Sequence, residues 1–179
     1  LFARIHVYAM QELGNRVRQV GMLLVQDSVF YPLIRHRQLG KNTWVYIDEI
    51  YLLFQHEYSA NFLFTLWKRV RKYGAGCTGL TQNVDDLLQS HTARTMLANS
   101  EFLVMLNQAA TDRAELAKLL NISDNQLSYI TNVDPGRGLI KCGSPLLPFL
   151  DNFPRNHLAQ LMTTRTSHIT AAPGTAPTR

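Results

Sequence analysis

The apolar run from Trp44 to Ile47, which ends in the adjacent carboxylates Asp48 and Glu49, constrains the fold of this chain more than any other feature. All four residues of the run are aromatic or β-branched, the types that favour a strand. A strand this apolar is typical of a buried parallel sheet, and acids directly after it lie where such sheets bind ligands. The run therefore predicts an α/β protein whose chemistry depends on Asp48 and Glu49.

Helical patterns flank this strand on both sides. Apolar residues at helical spacing predict a long helix over about 14–36, which Pro32 would kink or end. A second helix is predicted over about 59–73, with basic residues in its last turn, where they suit the helix dipole. The apolar stripes are Val17, Val20, Leu24, Tyr31 and Ile34 in the first helix, and Phe62, Leu63, Leu66, Trp67 and Val70 in the second. The aromatic residues expected in the core are Tyr46, Tyr51, Phe54 and Trp67.

Shorter elements follow. Strands are predicted at 77–81 and 101–106, and helices at 84–99, at 111–120 and from Ser123, where Gln126 completes a capping box. Two extended runs, 138–142 and 146–150, are joined by a Gly-Ser-Pro turn and predict a C-terminal hairpin. Alternation of strands and helices predicts an α/β three-layer sandwich with a mainly parallel sheet, followed by the hairpin.

Polar side chains follow each of the three predicted parallel strands. Since the carboxyl ends of parallel strands meet at one edge of a sheet, we expect these side chains to lie close together. They are Asp48 and Glu49, Gln82 and Asn83, and Asn107 and Gln108.

Composition limits the classes of protein to which the chain can belong. The 179 residues are 46% hydrophobic and 17% charged, with a net charge of +5, which indicates a folded domain and permits an anionic partner. Cys77 and Cys142 lie far apart, so neither a disulfide framework nor a zinc site is indicated, and a reducing cytoplasm fits. No apolar run approaches the length of a membrane span. Residues 1–162 are expected to form one partial domain, and 163–179, rich in Thr, Ala and Pro, a flexible tail.

An apolar strand followed by Asp-Glu is the Walker B arrangement of P-loop ATPases. There the Asp holds Mg²⁺ and the Glu orients or deprotonates the attacking water. The alternative is a solvated pair of acids at the start of the next helix. The phosphate-cradling motif G-x-x-x-x-G-K-[ST] occurs nowhere in the chain. We therefore expect the part of an ATP- and Mg²⁺-dependent domain that lies downstream of the phosphate loop, inactive by itself.

Four further residues are candidates for the same chemistry. Gln82, at the tip of the next strand, fits a sensor of the γ-phosphate or the attacking water, and an ordinary turn residue is the alternative. Arg71 occupies a position where ring-forming ATPases place an arginine that reaches the neighbouring subunit's nucleotide. Arg137 and Lys141, on the hairpin, could contact phosphates or keep an edge strand soluble.

The order of these motifs resembles that of the TraC/TraE-like conjugation ATPases of type IV secretion systems, over residues 22–154. The motifs are W-V-Y-I-D-E-I-Y-L-L-F, W-K-R-V-R-K-Y-G-A-G, G-L-T-Q-N, S-E-F-L-V-M-L-N and P-G-R-G-L-I-K-C-G. The resemblance implies a RecA-like motor domain that forms a homohexamer at the cytoplasmic face of the bacterial inner membrane. It would act with other secretion components, and DNA is a candidate partner.

Residue by residue, the resemblance implies that Asp48 is the metal ligand, Glu49 the base, Gln82 the sensor and Arg71 the arginine finger, with Arg137 and Lys141 in a late motif. Two alternatives stay open. One is a non-catalytic module that binds motor subunits or DNA. The other is a metal-dependent nuclease that uses Asp48 and Glu49, for which Asp85 and Asp86 are the only obvious further ligands.

Overall fold

The computed structural model describes residues 4–10, 15–82, 84–154 and 156–158, so the predicted tail lies outside the described residues. Helices and strands alternate through most of this length, in the order that the sequence predicts. The helices are α1 (Asn15–Gln38), α2 (Glu57–Arg69), α3 (Val84–Gln89), α4 (His91–Ala98), α5 (Ala110–Leu120) and α6 (Asp124–Leu127). The strands are β1 (Thr43–Ile47), β2 (Ala75–Gly79), β3 (Phe102–Met105), β4 (Arg137–Cys142) and β5 (Leu146–Leu150).

Strands β1 and β2 form a two-stranded parallel sheet in which Val45 is opposite Cys77. One face of this sheet packs against α1 and α2, because Val45, Ile47 and Cys77 contact a core that contains Leu33 and Leu66. Burial raises the pKa of the Cys77 thiol to about 12. The thiol therefore stays neutral at physiological pH and behaves as an apolar core group.

The opposite face of this sheet is open. Trp44 is 67% exposed and Tyr46 is 69% exposed, so the expectation that Tyr46 is a core residue is wrong. The burial of β1 alternates because the described helices cover one side only. Of the other expected core aromatics, Tyr51, Phe54 and Trp67 are partly buried against the core, as predicted.

The third strand does not join the parallel sheet as predicted. Instead, β3 pairs antiparallel with β4, and β4 pairs antiparallel with β5, so the predicted hairpin is confirmed and includes β3 in its sheet. Gly138 permits this pairing, because a Cβ there would collide with the carbonyl oxygen of Met105. A cluster containing Met105, Ile130 and Leu139 forms the core beneath this sheet.

A central cluster contacts both of these cores. It contains Leu63 of α2 and Met96 of α4, and Leu97 packs against both this cluster and the one beneath β3. The predicted helix over 84–99 is two helices, because Ser90 starts a new one: its side chain accepts a hydrogen bond from the Ala93 N–H at 3.3 Å. The predicted capping box of Ser123 and Gln126 is confirmed.

Helix α1 differs from its prediction in the face that it buries. Its predicted stripe is exposed, whereas Met22, Gln26 and Leu33 are buried, because the helix carries apolar residues on two faces and only one of them packs on the fold. Pro32 does not end the helix, which continues to Gln38. The complete burial of the next residue, Leu33, offsets the hydrogen bond that a proline cannot make.

Among the described residues, no helix combines the length and the apolar character that crossing a bilayer requires.

Candidate functional site

The site is built where the ends of β1 and β2 meet. Leu80, directly after β2, donates its N–H to the Ile47 carbonyl at 2.8 Å, and its own carbonyl accepts the Ile50 N–H at 2.9 Å. Ile50 is buried in the central core and anchors the chain after the two acids. Gly79 leaves room for it, because a Cβ there would lie 2.5 Å from the Ile50 side chain. Asp48 and Glu49 are therefore held in a short loop between two fixed points.

Glu49 has a left-handed backbone conformation, with φ 47° and ψ 49°. For a residue with a Cβ this conformation costs about 1–2 kcal/mol. The Glu49 N–H donates to Asp48 Oδ1 at 3.0 Å, which stabilises the turn. Unfavourable backbone geometry at a strand end is typical of functional positions, because the surrounding structure must compensate for it.

The structure brings Gln82 to Glu49. The amide Nε2 of Gln82 donates to Glu49 Oε1 at 3.0 Å. The second carboxylate oxygen, Oε2, is buried and has no hydrogen-bond partner. A buried acceptor without a donor is costly, so a donor that reached this oxygen would be stabilised there. Asn83, the other residue predicted at this strand end, lies outside the described residues.

Asp48 is exposed and offers carboxylate oxygens, the ligand type that Mg²⁺ prefers. No group of three or more His, Cys, Asp or Glu side chains able to hold a metal occurs in the described parts of the chain. This arrangement fits Mg²⁺ bound by one carboxylate together with substrate phosphates, which is common for this ion. The nuclease alternative needed Asp85 and Asp86 as further ligands, and they do not form such a group.

Arg71 lies at the opposite end of the sheet from Glu49. It is exposed in the 3₁₀ turn Val70–Tyr73, which precedes β2, whereas Glu49 follows β1, and the two strands are parallel. Five strand residues at about 3.3 Å each separate the two ends by roughly 16 Å. Within one chain, Arg71 therefore does not belong to the Glu49 site.

The two basic residues of the hairpin are not brought together. Arg137, at the start of β4, makes an exposed ion pair with Asp134 at 3.8 Å. Lys141, near the other end of β4, donates to the Ser100 carbonyl at 3.5 Å. Arg137 is next to the carboxyl end of β3, because Leu139 is opposite Met105, and Lys141 is next to its amino end.

The polar side chains after three strands were predicted to lie together, and this is correct for the two strands β1 and β2. Asp48, Glu49 and Gln82 follow the paired strands β1 and β2, whereas Asn107 and Gln108 follow β3 in the other sheet. The Asn107 side chain accepts the Val133 N–H at 3.4 Å and so fixes a loop of the antiparallel unit. Sequence reasoning missed the hydrogen bond between Gln82 and Glu49, because these residues are 33 positions apart and no local pattern predicts their contact.

Comparison with known proteins identifies the family of the chain. The family model of the TraG P-loop domain matches residues 17–137, more than half of the chain. The chain therefore belongs to the TraG P-loop domain family, and its resemblance to type IV secretion ATPases is confirmed at that level. No curated protein matches it.

A solved structure shows the fold independently. The chain superposes on VirB4 of Thermoanaerobacter pseudethanolicus with a TM-score of 0.69 and 24% sequence identity, over 81% of this chain. The predicted RecA-like α/β class is confirmed by this similarity. The chain spans 40% of the length of that VirB4 chain.

The left-handed backbone of Glu49 can be tested by comparing Glu49→Gly with Glu49→Ala. Both variants lose the bond to Gln82, so the difference between them isolates the backbone, and glycine should be the more stable by about 1 kcal/mol. Urea unfolding of the 179-residue chain measures this. At Glu115, exposed in the middle of α5, the order should reverse, with alanine the more stable by about 0.8–1 kcal/mol. Alanine as stable as glycine at position 49 would contradict the observed conformation.

Proposed function

We propose that this chain is the Walker B part of the ATP-hydrolysing motor of a type IV secretion system, and that the phosphate loop lies in another part of the full-length protein. The observation that carries the proposal is the buried, unpartnered Oε2 of Glu49 beside the exposed carboxylate of Asp48. Both acids follow a parallel strand, and the chain belongs to a P-loop domain family.

The roles of the two acids follow from their surroundings. Asp48 would hold Mg²⁺, whose charge neutralises phosphate oxygens when nucleotide is bound. Glu49 Oε2 is the acceptor for a proton of the attacking water, because Oε1 is already bonded to Gln82. Asp48 Oδ1 also fixes the backbone of Glu49, so one short loop sets both carboxylates.

The 179 residues alone should not turn over ATP, because they contain no phosphate loop to cradle the triphosphate. For the same reason we propose that the chain is a partial motor domain.

Arg71 is proposed to act in a neighbouring subunit of a homohexamer. Its position at the far end of the parallel sheet places it away from the Glu49 of its own chain and on the surface, where a neighbour could approach. Arg137, also exposed, is a second candidate for phosphate contact, whereas the Lys141 ammonium donates a hydrogen bond to the Ser100 carbonyl.

Family membership supports the wider assignments. The full-length hexamer would work at the cytoplasmic face of the inner membrane with other secretion components, and would transfer DNA–protein complexes. Sedimentation of the full-length protein tests the hexamer: a stable monomer under conditions of ATP turnover would contradict it.

The base assignment is tested in the full-length protein by Glu49→Gln. Loss of the proton acceptor should lower kcat by about 10²–10⁴, with ATP binding retained. Turnover of ATP and binding of a fluorescent ATP analogue are the measurements. Glu115→Gln, the same change at an exposed position of α5, is the control and should leave kcat unchanged. Unchanged turnover in Glu49→Gln would show that Glu49 is not the base.

The proposal for Arg71 is tested by mixing two inactive variants. Full-length Arg71→Ala and Glu49→Gln should each have low ATPase activity. In a mixed hexamer, some sites combine an intact Glu49 from one subunit with an intact Arg71 from its neighbour, so activity should return to a substantial fraction of the wild-type value. A mixture no more active than its components would place Arg71 outside the neighbour's site.

The exposed apolar surfaces favour a second candidate function, a non-catalytic module that binds motor subunits. Trp44 and Tyr46 on one side, and the outer face of α1 on another, offer apolar area to a partner. ATP turnover by the full-length protein that depends on Glu49 would exclude this alternative, whereas a full-length protein without any turnover would favour it.

A further inference from the structure

We infer that Gln82 is a positioning residue for Glu49: it binds one carboxylate oxygen and thereby leaves the other free to accept the proton of the attacking water. This inference rests on the proposed function and gives Gln82 a role different from the predicted sensor of phosphate.

The first support is that only one of the two carboxylate oxygens of Glu49 has a hydrogen-bond donor. Oε1 accepts the Gln82 amide at 3.0 Å, while Oε2 is buried without a partner. A carboxylate with both oxygens free could rotate and present either one. A single donor on Oε1 fixes the plane of the group and selects Oε2 as the acceptor.

The second support is that the backbone holds the two residues in fixed relation. Leu80 is bonded on one side to Ile47 and on the other to Ile50, which places Gln82 two residues after a doubly anchored point. Glu49 lies between Ile47, at the end of β1, and Ile50, which are the two residues bonded to Leu80. The backbone of the paired strands therefore holds Gln82 close to Glu49.

The third support is that two features of Glu49 destabilise the folded state. Glu49 adopts a left-handed conformation that glycine would adopt without strain, and its buried Oε2 lacks a donor. The hydrogen bond from the exposed Gln82 amide satisfies Oε1 only, so it relieves neither the backbone strain of Glu49 nor the missing donor at Oε2. A purely structural pair would not require them, so the geometry points to a carboxylate prepared for chemistry.

A positioning residue and a phosphate sensor differ in measurable ways. If Gln82 acts only through Glu49, its loss lowers kcat, leaves ATP affinity unchanged, and has no further effect once Glu49 has been replaced. If Gln82 contacts the nucleotide directly, its loss weakens ATP binding and adds to the effect of Glu49→Gln.

The experiment uses the full-length protein as wild type, Gln82→Ala, Glu49→Gln and the double variant, with Gln38→Ala, exposed at the end of α1, as a control. We expect Gln82→Ala to lower kcat about 10- to 100-fold, the range that a misplaced catalytic group produces. ATP affinity should stay within about twofold, and the double variant should match Glu49→Gln. Weakened ATP binding or additive losses would overturn the inference and leave the proposed function in place.

A second readout does not depend on turnover. In the ¹⁵N-labelled 179-residue chain, Glu49→Ala should shift the side-chain amide resonances of Gln82, whereas Glu115→Ala should not. Unmoved resonances would overturn the inference. A full-length wild type without ATPase activity would overturn the proposed function itself, and the inference with it.

Discussion

The structure of the site depends on the paired backbone hydrogen bonds that join the ends of β1 and β2. Leu80 bridges Ile47 and Ile50, and these two bonds hold both ends of the two-residue segment Asp48–Glu49. Within this segment Glu49 has a left-handed conformation, and its side chain accepts a hydrogen bond from Gln82. Buried Ile50 holds the far side of the loop. The parallel pairing of two short strands thus brings Glu49 and Gln82 together.

The distribution of burial around the parallel sheet is uneven. Val45 and Ile47 are packed by α1 and α2, while Trp44 and Tyr46 on the reverse face are exposed. Sheets of this type normally have both faces covered. The open face therefore leaves the aromatic side chains of Trp44 and Tyr46 available for contact with other protein surface.

Local patterns predicted much of this molecule, and non-local pairings account for the differences. The run from Trp44 to Glu49 is enough to place the strand and both acids, because an apolar strand and a charged end are encoded by adjacent residues. The pairing partner of β3 cannot be predicted in this way, because a strand of four residues fits either sheet. Only the tertiary fold selects β4 as its partner. Helix α1 has apolar residues on two faces, and periodicity cannot decide which one is buried. The Leu80 bridge beside Glu49 joins residues about 30 positions apart in the chain, so no local pattern predicts it.

We propose that Asp48 and Glu49 act on phosphates held by a loop elsewhere in the same protein. Sequencing the coding DNA immediately upstream of Leu1, and translating it in frame, tests this proposal. We expect an apolar strand followed by G-x-x-x-x-G-K-[ST]. A stop codon, or a start codon with no such motif after it, would show that this protein does not supply the phosphate loop.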